Sequence, residues 1–394
     1  MTPFLLMDGL PDGLPGEPPS KPGEARYAAL RERAREAAAG WAEEKVGEPE
    51  PRALVARLGE LGFLRYCVPA AFGGATETVE LRALCALREG LAYHSGLADT
   101  LFIMQGLGSY PVTLAGSEAQ QTALLPRVVR GECITAFALT EPEAGSDVSG
   151  IATRAEPRPG GGYRLTGTKC FISNAGLADS YMVLARTGPD RHRGLTAFLV
   201  PAQAGLRTEP LELIAAHPIG TVHFDGIELG EGDRIGAEGD GFRIAMATLD
   251  RFRASVGAAA VGMASRALDA ALARVAGRRQ FGRALAEFQA TQMALAEMAV
   301  ELDAARLLVE RAAVLGDRPG ARVTREVAMA KLYATEAAQR IIDRALQLHG
   351  GLGVVRGQVV ERLYREVRAL RIYEGTSEIQ KLVIARELLR GTAG

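Results

Sequence analysis

GYRLTGTKCFIS, at residues 162–173, is the first of several short segments that are rich in Val, Ile, Tyr, Phe and Thr. SYMVLART (180–187), GLTAFLV (194–200) and TVHFDGIEL (221–229) follow it, separated by Gly, Pro and Asp turns. Segments of this length and spacing, with no helical pattern between them, predict the strands of a sandwich or barrel. The pattern changes near Cys133, so the sequence predicts a β domain over residues 133–240.

Helical patterns lie on both sides of this β domain. Residues 26–132 contain amphipathic segments such as PRALVARLGELGF (51–63), in which apolar residues recur at intervals of three and four. Residues 241–394 contain much longer, Ala-rich segments, of which TREVAMAKLYATEAAQRIIDRALQLHGG (324–351) is one. Long amphipathic helices joined by short loops predict a bundle that also packs against copies of itself. The predicted fold is therefore α+β and multidomain.

Composition and charge argue against several broad classes of protein. The 394-residue chain has a formal net charge of −1, so no overall basic field attracts nucleic acid or an acidic membrane. Its four cysteines and five histidines are dispersed, which argues against a zinc site and predicts reduced thiols. No apolar run reaches the roughly 18 residues of a membrane span. The first 25 residues lack a signal or transit pattern and are predicted to be a mobile lead-in, so the expected location is cytoplasmic.

Two glycine-rich stretches are similar to a common nucleotide-binding signature, but neither matches it. GEGDRIG (230–236) and GLGVVRG (351–357) are one residue too long for G-x-G-x-x-G and lie outside any strand–helix–strand unit. The chain also has no G-x-x-x-x-G-K sequence. A Rossmann or P-loop architecture is therefore not predicted, and any nucleotide cofactor must be held by another one.

Two segments contain candidate polar residues: the loop AFALTEPEAGSDVSG (136–150) and the helical segment LDRFR (249–253). The first is either a surface loop stiffened by proline or a ligand-binding loop whose hydroxyl groups, such as that of Thr140, bond to a cofactor. In the second, Asp250 and Arg253 lie on one helix face, where such pairs usually form solvated ion pairs.

Two later motifs contain glycines and arginines near predicted helix ends. GRRQFGRALAEFQ (277–289) carries an arginine pair that is either surface charge or a grip on a diphosphate. QLHGGLG (347–353) contains glycines of the kind that end a helix. Neither motif identifies a ligand by itself.

RIYEGTSEIQ (371–380) places a single carboxylate, Glu374, in a turn just before a helix. The spacing of Ser377 and Gln380 is that of a capping box and predicts a helix start at Ser377. Gly375 allows the chain to bend sharply between the carboxylate and the helix. Glu374 then has two possible roles. It is either an acid whose interaction with the helix dipole stabilises the helix by ~0.3–1 kcal/mol, or a catalytic base on a constrained turn.

Six motifs in a fixed order carry a resemblance that covers nearly the whole chain, from Arg26 to Leu389. They are EPEAGSD (141–147), KCFISN (169–174), LDRFR (249–253), RRQFG (278–282), QLHGG (347–351) and IYEGTSEIQ (372–380), and together they resemble the acyl-CoA dehydrogenase family. The resemblance implies an N-terminal α-helical domain, a middle β-barrel domain and a C-terminal four-helix bundle. It also implies FAD as cofactor, an acyl-CoA thioester as substrate, an electron-transfer flavoprotein as partner, and a homotetramer.

The resemblance assigns roles residue by residue. Glu374 is the implied catalytic base, which takes the α-proton while the β-hydrogen leaves as hydride to flavin N5, giving a trans-2-enoyl-CoA. Contacts to FAD are implied for Phe137, Leu139, Thr140, Phe171, Ile172, Ser173, Thr376 and Glu378. Contacts to the FAD of a neighbouring subunit are implied for Arg278, Gln280, Phe281, Gln289, Gln347, Leu348, His349, Gly350 and Gly351. Substrate contacts are implied for Ser146, Asp250, Arg253, Tyr373 and Gly375.

A few positions depart from the family pattern. Phe171 and Ser173 stand where many relatives have Trp and Thr, so the aromatic face and the hydroxyl are retained. Gln280 stands where relatives often have Thr or Ser, and Phe288 where several have His. Some relatives carry the base between the positions of Asp250 and Arg253, but this chain has no carboxylate there.

Two other functions remain open at this point. One is an oxidase of the same fold that passes electrons directly to oxygen, and the other is a family member recruited to bind nucleic acid or a protein partner. The neutral charge and the intact base argue against the second.

The acyl group is predicted only in broad terms. The apolar run Leu101–Met104 is predicted to floor the pocket, and it contains no arginine that would favour a dicarboxylic substrate, so a straight or branched aliphatic acyl chain is expected. Two opposing effects are expected on the pKa of Glu374: desolvation raises it and the following helix start lowers it.

Overall fold

The computed structural model describes residues 22–43 and 50–390. Its N-terminal part contains α1 (Pro22–Glu43), α2 (Pro51–Glu60), α3 (Leu81–His94), α4 (Gly96–Ala115) and α5 (Glu118–Val129). Of the predicted lead-in over residues 1–25, residues 1–21 lie outside the described residues, and α1 already begins at Pro22. Both α1 and α2 start with a proline, which suits the first helical turn because the N–H missing there has no helical partner.

Eight strands form one mainly antiparallel sheet in the middle of the chain. They are β1 (Thr135–Ala138), β2 (Arg154–Pro157), β3 (Tyr163–Ser173), β4 (Ser180–Arg186), β5 (Leu195–Pro201), β6 (Arg207–Pro210), β7 (Ile219–Leu229) and β8 (Arg234–Ile235). The strand order is β6-β7-β3-β2-β4-β5-β8, and β1 pairs with β4 in parallel. The alternation of buried and exposed residues along β3 and β7 agrees with the strand pattern of the sequence.

Strand β3 is irregular near its end. The register between β3 and β7 shifts between Lys169 and Ile172, and Phe171 within the shift has a φ of 54°. Bulges of this kind re-aim a side chain out of the regular alternation of the strand. The side chain of Phe171 is 62% exposed as a result.

Helices return after the sheet and continue to the end of the described chain. They are α6 (Gly241–Gly277), α7 (Gln289–Gly316), α8 (Thr324–His349), α9 (Val359–Val367) and α10 (Ser377–Arg390). A short hairpin, β9 (Arg279–Gln280) with β10 (Arg283–Ala284), connects α6 to α7. α6, α7 and α8 pack on one another and α10 packs on α8. The predicted fold class of helical, β and helical-bundle parts is confirmed.

α6 is long and apolar enough to cross a membrane by length and composition alone. However, 61% of its most apolar window is buried inside the protein, where α6 packs against α3, α7 and α8. A helix that is apolar on all sides is expected at the centre of a large core. The packing within this chain therefore accounts for the apolar character of α6.

A buried ion pair connects the N-terminal helices to the bundle. Arg88 on α3 donates from Nε and Nη2 to the two carboxylate oxygens of Asp99 on α4, each at 2.7 Å. Its Nη1 donates to the hydroxyl of Ser255 on α6 at 3.1 Å. The side chains of Arg88 and Asp99 are 1% and 2% exposed. A bidentate pair with a third bond satisfies both charges in a place where neither could remain alone.

Candidate active site

A cavity of about 800 Å³ lies where the sheet, α4 and the C-terminal helices meet. Its walls are formed by one face of α4, the loop after β1 with the end of β3, residues 212–219, and the start of α6 with residues 368–375. Ligand pockets in proteins span roughly 300–1,000 Å³, so this cavity can hold a large organic ligand.

Glu374 lies on the cavity wall in a turn with an unusual backbone. Its φ is 52°, in the left-handed region, and Gly375 follows with a φ of 90°. A non-glycine residue in this region costs of the order of 1–3 kcal/mol and persists only where its surroundings hold it. Glu374 as a whole is half-buried, but its Oε2 is inaccessible and has no hydrogen-bond partner among the described residues. Because buried polar atoms in proteins are nearly always hydrogen-bonded, this unpartnered oxygen marks Glu374 as a candidate functional residue.

Three side chains hold the backbone carbonyls of this turn. Arg253 Nε on α6 donates to the carbonyl of Glu374 at 3.1 Å, and Lys331 Nζ on α8 donates to that of Gly375 at 2.7 Å. Gln380 Nε2 on α10 donates to both carbonyls, at 3.2 and 3.0 Å. Three helices thus stabilise a conformation that a glutamate alone would rarely adopt.

Asp250 supports this arrangement through Arg253. Its Oδ1 accepts from Arg253 Nη1 at 2.7 Å, and its Oδ2 accepts from the hydroxyl of Thr324 at 3.2 Å. Both Asp250 and Arg253 line the cavity. The ion pair allowed by the sequence is therefore present, and it also orients the arginine that contacts the Glu374 turn.

The surroundings of Glu374 change its pKa in opposing directions. Burial raises the pKa, and the positive charges of Arg88, Arg253 and Lys331 lower it, with a raised pKa as the net result. Burial also lowers the pKa of Lys331 to about 8, so its ammonium is still the main form at neutral pH. Glu374 therefore holds a proton more strongly than a free glutamate does, which suits a general base acting on a weak acid.

α10 begins at Ser377, as predicted, but the predicted capping box is wrong. Thr376 precedes the helix, and its Oγ1 accepts a hydrogen bond from the N–H of Ile379 at 3.3 Å. The hydroxyl of Ser377 instead donates to Glu336 Oε1 on α8 at 2.6 Å. The side chain of Gln380 is already bonded to the Glu374 turn. Both capping partners are thus occupied by contacts with other elements.

The residues assigned to the β side of the cavity come together there. Six of them come from β1, the loop after it and the end of β3, namely Phe137, Leu139, Thr140, Phe171, Ile172 and Ser173. Ser146, Tyr373 and Gly375 also line the cavity.

A buried lysine fixes the loop after β1. Lys169 Nζ donates to the carbonyl of Leu139 at 3.0 Å and to Glu141 Oε1 at 2.8 Å. Glu141 also accepts from the backbone N–H groups of Ala152 and Thr153, at 2.6 and 3.0 Å. The loop is therefore held by hydrogen bonds from Lys169 and from the backbone at residues 152 and 153, and it is not a free surface loop.

One face of α4 forms the apolar part of the cavity wall. Thr100, Ile103, Met104 and Leu107 line it, at the spacing of residues on a single helix face. Of the predicted floor, Ile103 and Met104 are correctly placed. Leu101 and Phe102 are fully buried and pack into the core instead, so that part of the prediction is wrong. Consecutive residues of a helix point in different directions and cannot all face one cavity.

The remaining predicted cofactor residues do not line this cavity. Arg278 follows Arg253 by about 25 residues along α6, or about 37 Å at 1.5 Å per residue. Phe281 in the hairpin is 93% exposed, with a φ of 50°. The others at a distance from the cavity are Gln280, Gln289, Gln347, Leu348, His349, Gly350 and Gly351, at the hairpin, the start of α7 and the end of α8. Thr376 and Glu378 lie close to the turn without lining the cavity.

Several residues of the site were not identified from the sequence, and four of them are polar groups near Glu374 or the β side of the cavity. Lys331 and Gln380 hold the Glu374 turn, and Arg88 and His217 line the cavity. Lys331 gave one usable signal, because it is a charged residue on the apolar face of the AMAKLYA segment. The histidine lies in an irregular loop, where no periodicity marks it. Within the described ranges, no group of three or more His, Cys, Asp or Glu could hold a metal ion, and all four cysteines are buried and free.

Comparison with known proteins gives one consistent family. Models for the N-terminal, middle and C-terminal domains of acyl-CoA dehydrogenase match residues 24–132, 136–227 and 239–389. Cyclohexane-1-carbonyl-CoA dehydrogenase of Geobacter metallireducens is 37% identical over 93% of this chain and 96% of its own length. The caffeyl-CoA reductase–Etf complex subunit CarC of Acetobacterium woodii is 36% identical over 86% of this chain and 90% of its own. The solved structure of butyryl-CoA dehydrogenase from Megasphaera elsdenii has a TM-score of 0.87 at 30% identity, covering 95% of this chain and 100% of that one.

Proposed function

This chain belongs to the acyl-CoA dehydrogenase family, and we propose that it oxidises an acyl-CoA thioester to the trans-2-enoyl-CoA with Glu374 as the base for the α-proton. The family is one of FAD-dependent enzymes. The observation that carries the proposal is the carboxylate of Glu374. Its buried oxygen has no partner among the described residues, its turn is held by three helices, and it borders a cavity of about 800 Å³.

The β side of the cavity fits the ring system of FAD. Phe171 and Phe137 supply aromatic faces, and the exposed side chain of Phe171 is of the kind that a planar ring covers. Thr140 and Ser173 supply hydroxyl groups that can bond to ring nitrogens and carbonyls. We assign these four residues to FAD binding, together with Leu139 and Ile172. Bound there, FAD supplies the acceptor for the hydride that leaves Cβ.

Glu374 and its turn perform the proton step. The α-proton of a thioester becomes acidic only when the charge that develops on the carbonyl oxygen is stabilised by a fixed donor. We assign that role to the backbone N–H of Glu374, because the turn is rigid. The carboxylate then takes the α-proton, and burial of the carboxylate raises its affinity for that proton. Ser146, Tyr373 and Gly375 border the same space and are assigned to substrate contacts.

The substrate class follows from the lining of the cavity. Ile103, Met104 and Leu107 on α4 line the cavity together with Met246 and Leu249 on α6, and we assign this apolar part to the acyl group. We propose an aliphatic acyl group, straight or branched. By their names, the relatives act on acyl groups as different as butyryl and cyclohexane-1-carbonyl, so both belong in the test.

The test is an anaerobic visible spectrum of the purified flavoprotein before and after addition of single acyl-CoAs. The panel includes butyryl-CoA, longer straight and branched acyl-CoAs, and cyclohexane-1-carbonyl-CoA. Bleaching of the flavin with formation of the 2-enoyl-CoA is expected for at least one aliphatic member. A flavin that none of them bleaches would contradict the proposed reaction.

The proposed electron acceptor is an electron-transfer flavoprotein. A relative that is itself a subunit of an Etf complex supports this assignment. Reoxidation of the substrate-reduced enzyme by an added electron-transfer flavoprotein is expected to be much faster than reoxidation by air. Rapid reoxidation by air with formation of peroxide would instead identify an oxidase.

An apolar stripe on α7 supports assembly of several copies. Met293, Val300, Leu307 and Val314 recur every seven residues and are 43–70% exposed. Seven-residue spacing keeps side chains on nearly one face of a helix, so the four residues form a row about 32 Å long. A row of exposed apolar side chains on one helix face is typical of an interface between helices. Because Arg278 and Phe281 lie far from the cavity of their own chain, we propose a homotetramer in which they reach the FAD of a neighbouring subunit.

Charges placed on this stripe are expected to disrupt the assembly. The double substitution Val300→Glu and Leu307→Glu should reduce the mass measured by sedimentation, because two carboxylates would be buried without partners. FAD content per chain should fall with it if the neighbouring subunit contributes to the binding site. Leu114→Glu, at an isolated exposed leucine on α4, is the matched control and should change neither quantity. Unchanged mass in the double variant would contradict an interface at α7.

Replacement of Lys331 by Met is expected to slow flavin reduction by about 10- to 100-fold at neutral pH. The turn loses a hydrogen-bond donor, so the carboxylate of Glu374 is held less precisely against the substrate. The acid limb of the rate should also move to higher pH, since a positive charge that favours the carboxylate is removed. Stopped-flow reduction across a pH series measures both effects. Lys381→Met, at an exposed lysine of α10, is the control, and a Lys331→Met profile that coincides with it would rule out the assigned role.

A further inference from the structure

A histidine from an irregular loop contacts one of the assigned flavin-binding hydroxyls. His217 lies between β6 and β7, and its Nε2 is 2.8 Å from the hydroxyl oxygen of Ser173 at the end of β3. Both residues line the cavity, together with Ile172 and Ile219. This is the one hydrogen bond that the side chain of His217 makes among the described residues. The sequence motifs that identify the family do not include His217.

The imidazole of His217 is neutral under ordinary conditions. Burial lowers its pKa to about 4, and no neighbouring charge contributes to the shift. A neutral imidazole has one N–H donor and one acceptor nitrogen, so it can either donate to Ser173 or accept from it. His217 therefore brings hydrogen-bonding capacity to the cavity without bringing charge.

Each tautomer of His217 gives the Ser173 hydroxyl a defined direction. With the proton on Nε2, the imidazole donates to the serine oxygen, and the serine O–H is free to donate into the cavity. With the proton on Nδ1, the serine O–H is directed to Nε2, and a lone pair of the serine oxygen is free to accept. An oxidised flavin ring offers acceptors at its edge, and a reduced one offers an additional N–H donor. The pair can match either state with no change in its own charge.

We propose that His217 is a positioning residue for FAD, which directs the hydroxyl of Ser173 toward the flavin ring and strengthens its hydrogen bond to the cofactor. This inference rests on the proposed flavin site, in which Ser173 is a direct contact. The chain of two hydrogen bonds, from imidazole to hydroxyl to cofactor, polarises the middle group and strengthens both bonds.

The chain contains a matched control for this pair. The hydroxyl of Thr168 on β3 lies 3.2 Å from Nδ1 of His223 on β7. This second hydroxyl–imidazole pair joins two paired strands of the same sheet, but neither residue lines the cavity. Loss of His223 therefore removes a similar bond from the sheet without removing one from the proposed flavin site.

The experiment measures FAD binding to the apoprotein and the visible spectrum of the reconstituted flavin, in the absence of any substrate. His217→Phe keeps a planar ring but removes both nitrogens, and it should raise the dissociation constant of FAD about 5- to 10-fold and shift the flavin bands. His223→Phe should leave both close to the native values. His217→Gln, whose amide can still donate to Ser173 or accept from it, should recover most of the affinity.

A double-mutant cycle with Ser173→Ala tests whether His217 acts through the hydroxyl. In the Ser173→Ala background, His217→Phe should cause little further loss of FAD affinity, because the bond it supports is already absent. Fully additive losses would overturn the proposal, as would native FAD affinity and spectrum in His217→Phe, or a His217→Gln variant as weak as His217→Phe. These measurements need no turnover, so they stand apart from the acyl-CoA test: failure there, with normal FAD binding, would overturn the proposed reaction and leave this inference intact.

Discussion

Replacement of Glu374 by Gln is expected to reduce the rate of flavin reduction by an acyl-CoA by about 10²- to 10⁴-fold, the usual contribution of a general base. The amide has nearly the size of the carboxylate and can occupy the same turn, but it cannot accept the α-proton. The bonds that hold the turn go to backbone carbonyls, so the substitution leaves them in place. FAD content and acyl-CoA binding should therefore remain close to native.

Anaerobic stopped-flow mixing with the best substrate of the panel measures the effect, and equilibrium titration measures binding. Glu60→Gln makes the same chemical change at an exposed glutamate of α2 and serves as the control. Its flavin should be reduced at the native rate. If the Glu374→Gln enzyme reduced its flavin as fast as that control, another group would have to be the base.

The pH dependence of the native enzyme should report the same residue. Burial raises the pKa of Glu374, so the reactive carboxylate is lost on acidification at a higher pH than for a free glutamate. The rate of flavin reduction should thus fall as the pH decreases through this raised pKa and should level off above it. A rate that stays constant down to the ordinary pKa of glutamate would mean that the carboxylate is hydrated in the working enzyme.

The second large effect concerns stability. Arg88→Met is expected to lower the free energy of unfolding by about 3–5 kcal/mol, because it leaves the carboxylate of Asp99 buried without its partner. Both native side chains are almost fully buried, and Asp99 receives two hydrogen bonds from the arginine. The hydroxyl of Ser255 loses the hydrogen bond from Arg88 but still donates to the carbonyl of Phe252 at 2.6 Å, so its loss contributes less.

Urea unfolding of the flavin-loaded protein measures this change as a lower midpoint at an unchanged slope. The double variant Arg88→Met/Asp99→Leu removes the uncompensated charge as well and should regain most of the lost stability, because apolar replacement of a buried ion pair is often close to neutral. If the double variant were no more stable than Arg88→Met, lost packing rather than an unpaired charge would explain the effect.

Much of the architecture could be predicted because it is encoded locally. The strand segments between residues 162 and 229 have β-rich composition and turn residues at their ends, and the later helices have long amphipathic repeats. The position of Glu374 could be identified for a similar reason, since Gly375 and the helix start at Ser377 are neighbours in sequence. The resemblance of six ordered motifs then supplied the family, which the comparisons confirm.

What could not be predicted depends on contacts between residues far apart in the chain. The Glu374 turn is held by Arg253 and Lys331, which lie 121 and 44 residues from the carbonyls they bind. The sequence gives a signal for each side chain, since Arg253 lies in the LDRFR motif and Lys331 is a charge on an apolar helix face, but it does not indicate the carbonyls to which they donate.

The same reason explains the errors at the capping box and the pocket floor. Ser377 and Gln380 have the spacing of a capping box, but the hydroxyl of Ser377 donates to the carboxylate of Glu336 on another helix instead. Leu101 is apolar, as expected of a pocket residue. However, only the packing of the helix decides which of its residues face the cavity and which face the core. The sequence by itself thus determined the elements, their order and the position of the proposed base. The tertiary structure decided which polar groups meet, including His217 with Ser173 and Arg88 with Asp99, because partners for buried polar groups are selected by packing and not by neighbouring residues.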